Sequence, residues 1–477
     1  MKIGKIFTIS LVLLLGISMA VMAGGGRQAP SSSGGVPTVT NFTYWTNDAH
    51  NKLECDQLVE KFNTGLGRQL GINVEYTVYG ADWAQAIVLA LDTNRAPDVF
   101  KGPPGLSLQS QVEQGRYLPW SEIPHIDDLL NNQAAYHINM STTYKGTPYT
   151  VSLYGNHAAL QYNKSLVQRA GYSAPPKSWA EFEEQAIAIS KLEPGKIYGY
   201  GIPLGWTPDY TTWVTEYWAA SSVGHLYFNY SQFKYQFADF APFFEMLGRI
   251  RDAGALFPGM ESLNDDQNRA QFAAGNIGFI IGAGWNVGVL YDQFPFGGGQ
   301  EGAPADPMGW DFFPQPVQDP NNRYAVALSA GGTGFVNASV RNDKDKLAKV
   351  GHVMRILWGD EAQSLMFTNG KNMPNRTDIV SKAAAPSRPQ WNTYGQIAPN
   401  VVTMPPNFHN MLAPEGADRV AIIGQILTGQ IPVSGIRAAL EDLDQRYNAA
   451  MQQALDRGII NRDDYYDANL ESKFRAR

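Results

Sequence analysis

The residues able to do chemistry are few in kind and poorly arranged for it. The seven histidines include no H-E-x-x-H and no pair at metal-ligand spacing on a helix, and the one cysteine, Cys55, has no companion for a zinc site. Ala327-Leu328-Ser329-Ala330-Gly331 lacks the first glycine of the G-x-S-x-G elbow that exposes a nucleophilic serine. Gly282, Gly284 and Gly288 follow an apolar run but are spaced one residue too widely for the dinucleotide fingerprint. Two of the 44 acidic residues could form the carboxylate pair of a glycoside hydrolase, with Asp209 as one member, so a secreted glycosidase is the runner-up function. No cofactor and no metal are expected.

The residue types present in quantity are those that bind. Aromatics make up 12% of the chain, with 11 Trp and 23 Tyr, and their flat faces suit the C–H groups of sugars, although a large core also consumes them. The 37 basic residues against 44 acidic give a net charge of −7 with no basic run, which argues against a nucleic-acid partner. A chain of 477 residues exceeds what one core usually holds, so two domains are expected. Lys2 and Lys5 precede an apolar run from Ile6 to Ala23, and Val21 and Ala23 sit at the spacing a signal peptidase cuts. Cleavage is expected after Ala23, leaving residues 24–38 as a flexible tether. Loss of the two lysines takes the charge from −7 to −9. An anchor kept in the membrane is the alternative, because the run reaches the lower limit for spanning a bilayer, but Gly16 and Ser18 interrupt it. Cys55 lies far inside the mature chain, so no cysteine stands at the cleavage point to carry a lipid and no intrachain disulfide is possible. Export to a periplasmic or extracytoplasmic space follows.

Alternating elements must position whatever binds. Val39 to Tyr44 reads as a strand, followed by the polar loop Trp45-Thr46-Asn47-Asp48 and a helix with Leu53, Leu58, Val59 and Phe62 on its apolar side. Asn73 to Val78 is the next strand, Asp82 opens a helix with apolar body Trp83 to Leu91, and Ala96 to Phe100 closes the series. Such a βαβα order predicts a parallel sheet with helices on both faces. Ligands of such sheets sit beyond the carboxyl ends of the strands, which points to Trp45, Asn47 and Asp48 after the first strand and Lys101 after the third.

Further on, Tyr144 to Leu153 reads as strand broken by bends at Gly146 and Pro148, and Ala158 to Tyr162 as the next strand. Ser178 is expected to cap a helix with Glu181 reaching back to it. Asp265 and Asp266 suit a helix start, Gly275 its left-handed stop, and Ile277 to Ile281 a buried strand. Gly282 and Gly284 would let a backbone or ligand come close before Trp285 at the strand end. Asp343 to Trp358 reads as an amphipathic helix and Glu361 to Phe367 as a short one; a closing helix is expected from Ser434.

Taken in order, the strings YKGTPYTVSLYGNHAALQYNKSLVQRAGYSAPPKSWAEFEEQA, DDQNRAQFAAGNIGFIIGAGWNVG, the stretch from Gly331 to Asp378 and ILTGQIPVSGIRAALEDLDQRYNAAMQQAL resemble the carbohydrate-binding family of bacterial extracellular solute-binding proteins that includes maltose-binding protein, over about Asn41 to Leu455. Asn276 departs from it, standing where the family has a basic residue. The resemblance implies an α/β, two-lobed type II periplasmic-binding-protein fold. Residues 39–150 and 333–385 would form the first lobe, 151–332 and 386–477 the second, with crossovers near Thr150 to Leu153, Ala327 to Gly334 and Ala385. It implies a monomer that closes on a sugar or oligosaccharide and passes it to the permease of an ABC transporter, or reports it to a signalling system. Carried over by position, the ligand-binding residues would be Trp45, Asn47, Asp48, Trp206, Asp209, Tyr210 and Trp285, to which the strand-edge rule adds Lys101. Phe408 and His409 join them although MPPNFHNM lacks the family's tryptophan.

Overall fold

The computed structural model describes residues 39–475 except 81, 103–105, 133–140, 206–207, 298–304, 398–400 and 404–407, with the side chains of 208–214, 330 and 377 also outside. The expected signal segment and tether lie outside the described residues. The strands that matter to the site are β1 (Thr40–Thr46), β2 (Ile72–Val78), β3 (Val99–Lys101), β4 (Tyr154–His157), β5 (Ala159–Asn163), β6 (Tyr198–Gly201), β7 (Ile277–Gly282), β8 (Trp310–Phe313), β9 (Val326–Gly331), β10 (Gly334–Val336) and β11 (Val401–Thr403).

The first sheet has the order β10-β3-β1-β2. In β1 the aromatic and β-branched residues alternate: Phe42, Tyr44 and Thr46 are buried while Thr43 and Trp45 are half-buried, as a pleated strand between two layers requires. β2 and β3 run parallel to β1 on either side, and β10 adds antiparallel to the outer edge of β3. Parallel neighbours need crossovers, supplied by α1 (Lys52–Thr64) and α2 (Trp83–Asp92). On one face Phe42 and Tyr44 pack with Leu58 and Val59 of α1 and with Val350 and Met354 of α3 (Lys344–Trp358), whose N-cap is Asp343. On the other face Trp83 and Ile87 of α2 join a cluster that contains Phe100.

The second sheet has the order β8-β5-β7-β6, with β5 antiparallel to β7 and β8 and β6 parallel to β7. β7 is buried along its whole length. The helix Trp179–Ser190 starts where expected, with the Ser178 hydroxyl accepting from the Glu181 N–H at 3.1 Å. The return half of the cap is displaced by one residue, because the Glu181 carboxylate accepts from the N–H of Lys177. A complete capping box forms instead at α4 (Asp265–Ala273), where Asn264 and Gln267 exchange side-chain-to-backbone bonds. Gly275 ends this helix at φ +80°.

A third, small sheet, β11-β9-β4, links the two. β4 and β9 pair antiparallel from Tyr154–Gly331 to His157–Leu328, so the passage from the first sheet to the second and the passage back are hydrogen-bonded to each other. A later passage lies along them. Asn375 donates its N–H to Leu153 and its amide to Ser152, and Pro374 bridges Tyr154.

Candidate ligand-binding site

At the carboxyl edge of the first sheet the structure brings together Trp45, Asn47, Asp48 and Lys101. Asp48 lies beyond the end of β1 and Lys101 ends β3, its neighbour; Lys101 Nζ meets Asp48 Oδ1 at 2.5 Å. The Thr46 hydroxyl braces the other carboxylate oxygen at 3.1 Å. Burial works to raise the Asp48 carboxyl, but the Lys101 ammonium beside it outweighs that and holds it below the usual range. Polar side-chain atoms with no hydrogen-bond partner cluster just downstream. Asn47 Oδ1, His50 Nε2, Asn51 Oδ1 and Glu54 Oε2 are all buried and unbonded, although Glu54 Oε2 lies 3.5 Å from Lys371 Nζ. Four such atoms within eight residues stand out, because buried polar groups are usually paired.

The aromatic part of this edge includes two residues that sequence reasoning passed over. The Trp45 ring centroid lies 4.9 Å from that of Tyr79, which lies 5.7 Å from that of Trp83. Tyr79 continues the β1–β2 pairing past the sheet, its N–H donating to the Thr46 carbonyl at 2.7 Å. The available signal was the edge rule itself, since Tyr79 follows the second parallel strand as Trp45 and Lys101 mark the first and third.

At the matching edge of the second sheet, β7 delivers Trp285 as the first residue of α5 (Trp285–Asp292). The expectation that Gly282 and Gly284 leave room for a ligand is corrected by what stands over them. A Cβ on Gly282 would lie 2.4 Å from the amide nitrogen of Asn286, and one on Gly284 would lie 2.7 Å from the ring of Trp391. The glycines therefore admit the protein's own side chains. Asn286 is fully buried; its oxygen accepts from Arg269 Nε at 2.8 Å and its amide donates to Gln161 at 2.7 Å. Arg269 in turn pairs with Asp265 and Asp266 on α4. Trp285 itself is half-buried and directly precedes Asn286.

The two edges meet beside α5. A Cβ on Gly288 of α5 would lie 3.6 Å from His50 Cβ and 3.6 Å from Lys371. Lys371 Nζ, buried, bonds the His50 carbonyl at 3.0 Å and Asp292 at 2.5 Å, while Arg388 holds the same carboxylate at 2.8 Å.

Phe408 and His409 are not part of this arrangement. Phe408 is fully buried against Phe228 and Tyr465, and His409 bonds the Tyr235 hydroxyl at 2.5 Å inside the same aromatic core. A ring enclosed by protein on every side has no face for a sugar, which corrects their assignment to the site. Trp206 lies outside the described residues. Asp209 and Tyr210 fall in the first turn of the helix Pro208–Val223, with their side chains outside the described residues. Among the described residues no group of three His, Cys, Asp or Glu could hold a metal ion, and no helix is long and apolar enough to cross a membrane.

Comparison with known proteins gives this geometry a family. Residues 56–349 match the model of the bacterial extracellular solute-binding proteins. The chain belongs to that family. Solved structures similar to this solute-binding protein include an ABC transporter solute-binding protein from Thermotoga lettingae bound with α-D-tagatose, at 19% identity and a TM-score of 0.64 over 85% of this chain and 99% of that one. A maltose/maltodextrin-binding domain from Bdellovibrio bacteriovorus bound to maltotriose aligns at 14% identity and a TM-score of 0.64 over 87% and 100%. No curated protein matches the sequence. The solute-binding protein therefore has the two-lobed type II periplasmic-binding fold.

Proposed function

We propose that this chain is the extracytoplasmic substrate-binding component of an ABC importer, closing on a sugar or oligosaccharide and delivering it to the permease. The observation that carries the reading is the pairing of Asp48 with Lys101 beside unbonded acceptors and the Trp45–Tyr79 rings. Hydroxyl-rich ligands need acceptors and donors in one place and a flat apolar face beside them. The ligands named for the similar structures, tagatose and maltotriose among them, are all carbohydrates in that sense. In this reading Trp285 is a second stacking surface, and Trp206, Asp209 and Tyr210 join it by their position in the sequence.

Residues 39–150 with 333–385 and 151–332 with 386–477 are the two lobes in this reading, and the paired strands β4 and β9 are where they hinge. The protein acts as an exported monomer, released by cleavage after Ala23. It performs no chemistry on the ligand. The family to which the chain belongs is one of solute-binding proteins. A thermal-shift screen against a sugar panel tests the reading, since a ligand at a hundredfold excess over Kd stabilises the fold by about 2.7 kcal/mol. The cognate sugar should also reduce the radius of gyration in small-angle scattering. Recovery of hydrolysed sugar would replace the reading with the glycosidase. Uptake that survives permease deletion, or signalling lost without the protein, would favour a receptor.

A further inference from the structure

Behind the Asp48–Lys101 pair lies a cavity of about 50 Å³ that both residues line. It reaches into the first lobe toward the foot of the crossover strands, where Leu153, Tyr154 and Pro374 also line it. Its wall is mixed in a particular way. Trp358 and Met366 give it an apolar side, and Tyr44 and Tyr76 contribute phenol groups. Two further lining residues, Asn51 and Gln363, are 5% and 4% exposed, and each carries an amide oxygen without a hydrogen-bond partner. The orientation of Gln363 is fixed, because its amide nitrogen donates to the Trp358 carbonyl at 3.0 Å. Its oxygen must then be the unpaired atom.

We propose that this cavity receives the acetamido group of an N-acetylated sugar, so that the ligand is a 2-acetamido sugar or an oligosaccharide carrying one. This rests on the proposed sugar-binding function and adds the class of sugar. Size supports it: at roughly 10–15 Å³ for each water-sized occupant, the cavity takes about four such groups. An acetamido substituent supplies nitrogen, carbonyl carbon, oxygen and methyl; a hydroxymethyl group fills half as much. Chemistry agrees. The amide N–H is a donor for an unpaired oxygen of Asn51 or Gln363, the carbonyl is an acceptor for a phenol, and the methyl has Met366 and Trp358 to pack against.

The test is calorimetric titration of the full mature chain with N-acetylglucosamine and its β-1,4-linked dimer, each against its unacetylated counterpart, glucose and cellobiose. The N-acetylated member should bind about ten- to a hundredfold more tightly in each pair, because without it the buried acceptors stay unpaired. Gln363→Met, which keeps the volume and removes the acceptor, should reduce that preference about tenfold while leaving the affinity for the unacetylated sugar unchanged. Glucose or cellobiose binding as well as its N-acetylated partner would mean that the cavity holds only water, and would overturn the assignment while sparing the sugar-binding function. Binding of no sugar in a wide panel would remove both.

Discussion

The two strand edges that meet beside α5 in this protein are finished in opposite ways. On the first lobe the edge ends in groups that are charged or lack partners: Asp48 with Lys101, and the unbonded Asn47 and Asn51 oxygens. On the second lobe the edge ends in Trp285, followed by a base in which Arg269, Asn286 and Gln161 bond one another in sequence. The contrast separates two tasks. An edge rich in unpaired polar atoms can read a ligand's hydroxyl and amide groups, whereas an edge built on a bonded network chiefly holds a surface in place, with Asn268 Oδ1 as an unbonded exception. Specificity should therefore reside in the first lobe and positioning in the second.

Breaking the base should have the largest effect. Arg269→Met removes the guanidinium that pairs with Asp265, itself 2% exposed, and should cost about 3–5 kcal/mol of stability in urea unfolding. The double change with Asp265→Asn should recover part of that, and a single mutant as stable as the parent would show that the network is not what supports Trp285. Next in size is a pH effect at the strand joining the lobes. Burial depresses His157 to about 4 from 6.5. A folded pKa below the unfolded one means that the unfolded chain takes up the proton first, so stability is full above pH 6.5 and is lost as pH falls toward 4, by up to about 3 kcal/mol. His157→Phe, which keeps the stacking on Tyr394, should reduce that slope by the His157 share, His50 and the buried His409 being depressed as well; an unchanged slope would place the titration elsewhere.

Asp48→Asn sharpens the comparison from the reading side. It should weaken sugar binding by about 1.5–3 kcal/mol, the range for a hydrogen bond to a charged group, and move the unfolding midpoint little, since Lys101 is a quarter exposed and can turn to water. The smallest effect is expected at Trp285. Its replacement by alanine should lower affinity by roughly 1–3 kcal/mol, with less loss of stability than Arg269→Met. Unchanged affinity with a large drop in the unfolding midpoint would make Trp285 a core residue.

Much of the fold was legible because it is written in short periods. The β1 alternation, the Ser178 cap and the Gly275 stop each depend on residues within a few positions of one another, and each stands within a residue or two of where the local pattern places it. What could not be read depends on partners far away in the chain. Nothing near Phe408 shows that Phe228 and Tyr465 will enclose it. Nothing near Gly284 shows that Trp391, more than a hundred residues on, covers it. Tyr79 was missed for a milder reason: its strand was recognised, but the residue following it was not weighed as Trp45 and Lys101 were.

The antiparallel strand at the edge of the first sheet also sets a clock. β10 pairs with β3 although the two are separated by most of the second lobe's sequence, so the first sheet cannot be completed until residue 336 has been synthesised. Contacts between such distant positions make folding slow. For the exported chain proposed above, that delay is a gain, because its leading part stays open until the stretch that finishes it has been made.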